Sequence, residues 1–218
     1  MGKEESLKTD LVCSVIQFVR ENHAATIDKA YEYFWDNNKP DEFMSGTALT
    51  LGFLNFEDWL IFDYKVNPEK EETFIDIYMN NNTLKDNEAV LLNSLKDSVI
   101  SLYEVLSVAR DKRILLKDLL MDSEHELRDK ALTRGLNKGD IFATRLLTLD
   151  GKTCMSGCVY PYTVTDKKTV LTYVDKQFRR YIKNVKPDGS MRDFLKDYGD
   201  VLNIIWMNLI MNPTMKQA

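Results

Sequence analysis

Apolar residues recur at helical spacing through the first part of the chain. Leu7, Leu11, Cys13, Val15, Ile16, Phe18 and Val19 form a broad stripe, with Lys8, Asp10, Gln17, Arg20 and Glu21 opposite. This pattern predicts an amphipathic helix over 6–22. Thr26 is placed to cap a second helix carrying Ile27, Ala30, Tyr31, Phe34 and Trp35 at three- and four-residue spacing. Residues 37–41, Asn-Asn-Lys-Pro-Asp, break the pattern, and helix resumes over 41–53 despite Gly46 and Gly52. The stretch 53–64 is the most aromatic window of the chain. Asn55 can cap a new helix there, with Asp58 reaching back. Phe56, Trp59, Leu60 and Asp63 then share a face, while Ile61, Phe62 and Tyr64 leave other faces apolar, as expected of a buried helix. Short helices over 73–79 and from 83–86 to about residue 96 complete the helical part.

Near residue 98 the period changes from helical to alternating. Strands are predicted over 99–108, 113–120, 124–128, 141–149 and 153–160, with Asp150-Gly151 as a hairpin turn. Five short strands joined by tight turns suggest a small antiparallel barrel or half-barrel. Helix returns over 166–184 and again after Ser190, where residues 201–211 are apolar enough to need a partner surface. The expected fold class is α+β. It comprises an N-terminal helical region at 1–97, an antiparallel β region at 98–163, and two C-terminal helices within 164–218 that pack onto the N-terminal region.

The overall charge of −5 conceals an asymmetry. Residues 1–97 hold 9 basic and 19 acidic side chains, net −10. Residues 98–163 hold 10 and 9, net +1, and residues 164–218 hold 10 and 6, net +4. The acidic and basic parts can attract each other or separate partners. No apolar run is long enough to span a membrane, and the N-terminus lacks a secretion-signal pattern. It does match a loose myristoylation pattern, Met1-Gly2-Lys3-Glu4-Glu5-Ser6. Three cysteines, an odd number, point to free thiols in a reducing cytoplasm.

Candidate chemistry is sparse. Cys154 and Cys158 lie four apart, which on one strand separates them by roughly 13 Å, too far to share a zinc. His125 sits between Glu124 and Glu126, but strand alternation turns both carboxylates away from the imidazole, so a surface or hairpin-face histidine is the simpler reading. His23 follows a helix end and reads as a capping feature. Neither phosphate-binding glycine loop nor nucleophile elbow is present, and no cofactor or metal is expected. Trp59, Asp63 and Tyr64 are candidates for a pocket or partner groove, against the simpler reading of a core helix. Lys176, Arg179, Arg180 and Lys183 fall at i, i+3, i+4 and i+7 on one helix, the best polyanion-binding signal here. A solvated basic face is the simpler reading, because the chain as a whole is acidic.

The block Phe56-Glu57-Asp58-Trp59-Leu60-Ile61-Phe62-Asp63-Tyr64, followed by Leu115-Leu116-Lys117-Asp118-Leu119-Leu120 and Gly139-Asp140, resembles a group of uncharacterised bacterial proteins with a small β-domain. The likeness covers about residues 53–160, and some members carry a C-terminal zinc motif of the SEC-C type. This sequence holds no Cys/His cluster near residue 218, so zinc-mediated partner binding is not expected of it. The expected function is non-enzymatic, a cytoplasmic adaptor or interaction module with a protein partner. A nucleic-acid-associated protein using the β region and the basic helix 176–186 is the alternative, and an enzyme with a pocket at Trp59, Asp63 and Tyr64 the third.

Overall fold

The stripe Leu11, Val15 and Val19 is buried along α1 (Lys3–Asn22), as its spacing dictates. A computed structural model describes residues 3–149 and 151–212. The chain divides once, into the units Met1–Ser98 and Val99–Ala218. The Met1-Gly2 pattern lies outside the described residues.

In the first unit α1 is followed by α2 (Ala24–Phe34), α3 (Pro40–Phe43) and α4 (Gly46–Phe62). His23, not Thr26, holds the N-cap position of α2. The aromatic stretch does not begin a helix of its own. α4 runs unbroken from Gly46, and Asn55, expected as a cap, is fully buried in its interior. The reason is local crowding: a Cβ on Gly52 would stand 2.8 Å from Trp35 Cη2, so glycine here admits a close approach rather than a break. A two-stranded ribbon of β1 (Lys65–Asn67) and β2 (Glu72–Thr73) follows, unforeseen because each strand is so short. Then come α5 (Phe74–Asn81) and α6 (Asp86–Asp97). The Thr73 N–H and hydroxyl both donate to Asp76 Oδ2, at 3.1 and 2.8 Å, and start α5.

The second unit opens with β3 (Ile100–Ala109), β4 (Arg113–Asp118) and β5 (Glu124–Leu127), a meander. A short helix, α7 (Leu132–Gly135), leads to β6 (Ile141–Leu149), β7 (Lys152–Met155) and β8 (Tyr160–Tyr162). β3 also pairs with β6, and β5 with β7, so β3-β4-β5-β7-β6 closes into a five-stranded barrel with β8 added to β6. The expectation of an all-antiparallel sheet is corrected at one seam: β5 and β7 run parallel through Leu127 and Thr153. Their direction is set by the connection through α7 and β6, which alternation within a strand cannot reveal. The expected strand over 153–160 is likewise interrupted. Gly157, with φ 135°, lets the chain bulge out between β7 and β8, and the Thr144 hydroxyl donates to Cys158 O (2.6 Å) across the gap. Gly151 has φ 73° in the β6–β7 turn; its neighbour Asp150 lies outside the described residues.

Tyr103, Val105, Ile114, Leu116, Leu127 and Phe142 fill the barrel. Three helices rather than two follow: α8 (Lys167–Asn184), α9 (Met191–Asp197) and α10 (Val201–Met211). The apolar run 201–211 finds a partner surface inside its own unit. Trp206 Nε1 donates to Pro161 O (3.1 Å), the Tyr162 hydroxyl donates to Leu202 O (2.7 Å), and Trp206 packs edge-on to Tyr160.

Candidate functional site

Helix α4 presents two surfaces. Toward its C-terminal end Trp59, only 3 % exposed, is enclosed by rings: Phe34 at 5.0 Å, Tyr64 at 5.1 Å and Tyr33 stacked at 5.8 Å. Asp63 is buried at the helix C-cap and Tyr64 is half-buried against Phe74. The three residues named from sequence are therefore brought together, in an aromatic core.

A cavity of this unit lies toward α1 and α2. It measures about 240 Å³. Helix α1 supplies Ile16, Val19 and Arg20; α2 supplies Ile27 and Tyr31; α4 supplies Phe53, Phe56, Glu57, Leu60 and Ile61. The lining is apolar except for three groups. Arg20 and Glu57 form an ion pair across the α1–α4 boundary. The Tyr31 phenol is held above its ordinary pKa by burial and, less, by the negative charge of Asp41. Phe53, part of this lining, is 41 % exposed, and Leu54, next to it on α4, is 46 % exposed. Sequence periodicity marks α1, α2 and α4 as amphipathic or buried, but which faces leave a gap depends on how three helices cross.

In the second unit Lys176, Arg179, Arg180 and Lys183 share one exposed face of α8, as their spacing requires. Arg179 pairs with Asp175 (3.0 Å) and Arg180 Nη1 donates to Gln177 Oε1 (3.3 Å). Lys186 turns instead to Asp193 (2.7 Å).

A polar cluster closes one end of the barrel. Tyr103 pairs with both Asp118 and Phe142, so their side chains share the interior face. Asp118 Oδ1 accepts from the Ser101 hydroxyl (2.8 Å) and from the N–H groups of Leu120 and Met121 (both 2.9 Å). Burial, and then the nearby Asp118 carboxylate, raise the Tyr103 phenol far above its ordinary range. His125, paired with Leu116, also turns inward: it is half-buried, edge-on to Tyr103 at 5.8 Å, with Nε2 2.9 Å from Ser123 Oγ. This corrects the reading of His125 as a surface or hairpin-face side chain. Glu126 does lie on the other side, bonded to Arg113 and Arg128. The cluster ties down the turn that ends β4.

All three cysteines are free thiols, Cys158 buried and Cys13 exposed. Among the described residues no three His, Cys, Asp or Glu side chains stand together as a metal-ligand set. No helix among them is long and apolar enough to cross a membrane.

Comparison with curated proteins and with solved structures returned no match. One family model does match, over residues 52–198, which take in α4 from Gly52, the whole barrel and the basic helix α8, but leave α1, α2 and α10 outside. On that match, which spans well over half of its length, the chain belongs to the family of unknown function DUF7986.

Proposed function

We propose that the chain is a non-enzymatic interaction protein whose helical unit receives apolar side chains of a protein partner between α1, α2 and α4. The observation that carries this reading is the apolar cavity of about 240 Å³ whose lining includes the partly exposed ring of Phe53. Apolar clefts with a few fixed polar groups are where binding energy concentrates, and aromatic anchors dominate it. The Arg20–Glu57 pair gives the opening a polar edge that can set orientation. The net charge of −10 over residues 1–97 favours a partner with a basic surface. Three free thiols suit a reducing cytoplasm, and the aromatic block supports a bacterial origin.

Phe53→Asp places a charge in the cavity lining at a position 41 % exposed, and circular dichroism checks that the variant is folded. Tagged wild-type and Phe53→Asp proteins are recovered from the native cell with nuclease present, and co-purifying proteins are read by mass spectrometry. The proposal expects a protein that survives nuclease with the wild type and is depleted at least about tenfold with the variant, the effect of roughly 1.4 kcal/mol. Equal recovery with both proteins, or loss of every partner on nuclease treatment, would overturn it.

A further inference from the structure

Beyond the groove, we propose that α8 carries a second binding surface, for the phosphate backbone of duplex DNA. The exposed face of α8 is longer and more uniform than the four residues picked from sequence. Lys168 belongs to it as well, and Lys168, Lys176, Arg179, Arg180 and Lys183 are all exposed. At 1.5 Å and about 100° per residue they cover roughly 22 Å of helix length within an arc of about 120°. The buried side chains of the helix, Val170, Val174 and Tyr181, lie on the opposite side. The only anion on the exposed face is Asp175, already engaged by Arg179. The unit that carries α8 is net basic: residues 99–218 hold 20 Lys and Arg against 15 Asp and Glu, +5.

The composition of this face selects among polyanions. Single strands are held by exposed aromatic rings on which bases stack. Here Phe178 packs against Phe194 at 5.7 Å, Tyr181 is buried and Tyr173 half-buried, so α8 offers charge without a stacking platform. A membrane-surface helix needs an apolar face as well as a basic one, and none of the exposed large apolar residues falls within α8. What remains is sequence-independent contact with regularly spaced phosphates. An arc of cations about as wide as a helix matches the B-form major groove, roughly 12 Å across, whereas the deep, narrow major groove of duplex RNA excludes it.

The test is fluorescence anisotropy of the full chain with a labelled mixed-sequence DNA duplex, measured over a range of NaCl. Three to four neutralised phosphates give a slope of log K against log salt of about −3. Arg179→Glu with Arg180→Glu should flatten that slope by about 2 and weaken binding at least about tenfold. Arg110→Glu with Lys112→Glu changes net charge equally, at exposed residues of the β3–β4 turn, and should shift affinity less than about threefold. Circular dichroism confirms that both variants stay folded. The proposal is overturned by absence of binding at low salt or by equal loss in the two variants. It is also overturned if single-stranded DNA, duplex RNA or anionic phospholipid vesicles bind as tightly as the duplex.

Discussion

At the scale of single residues, Gly52 reverses an ordinary rule. In an exposed helix interior, alanine is favoured over glycine by about 1 kcal/mol. In α4 the added methyl would meet the ring of Trp35, which is fully buried and wedged edge-on against Phe34 at 5.0 Å. Gly52→Ala is therefore expected to destabilise the helical unit, by about 1–3 kcal/mol, the usual penalty for overfilling a packed core. Urea unfolding followed at the helical circular-dichroism band measures it, and a variant as stable as the wild type would refute the close approach. Trp59 tells the complementary story: its neighbours saturate it with aromatic contact, so it stabilises the scaffold beside the groove without lining it.

At the scale of elements, helix starts are written in carboxylates. Before α9, Asp193 Oδ2 accepts from the Ser190 N–H at 2.8 Å and from the Ser190 hydroxyl, and Oδ1 receives Lys186 at 2.7 Å. Lys186 first, then Ser190, hold this carboxyl well below its usual range. A carboxyl depressed in the folded state adds stability above its ordinary value, near 3.9, and loses that contribution as pH falls below it. Asp76, bonded to Lys96 and Thr73, is lowered too, against the opposing effect of burial. The melting temperature of the wild type should thus fall more steeply than that of Asp193→Asn as pH drops below about 4. Parallel curves would remove Asp193 from the account. The start at Ser190 was legible in the sequence, because a cap is decided by residues three apart, whereas Thr73 was read as the first residue of its helix and is the cap before it. The existence of the strands from 100 to 149 and the face of α8 were legible for the same reason, as local periods. The start of α4 was not, since Gly52 answers to Trp35, at the C-cap of α2. Nor was the parallel seam at Leu127 and Thr153, the inward turn of His125, or the cavity, each of which depends on elements distant in the chain.

At the scale of the whole molecule, the division after Ser98 implies that the second unit owns its core: the barrel interior from Tyr103 to Phe142, with α8 to α10 following. A fragment of residues 99–218 is expected to melt in a single cooperative transition. A broad transition with strong dye binding to exposed apolar surface would show instead that the unit depends on the residues before it. The closed ring has a bearing on life at high concentration. An open sheet offers unpaired N–H and C=O groups to which a second chain can add, strand upon strand. Here every strand of the barrel is flanked on both sides, and the strand left at the margin is β8, three residues long. Its middle residue is Pro161, which has no N–H to offer, and whose carbonyl is already taken by Trp206. At the barrel, such a margin offers an adding strand little to pair with.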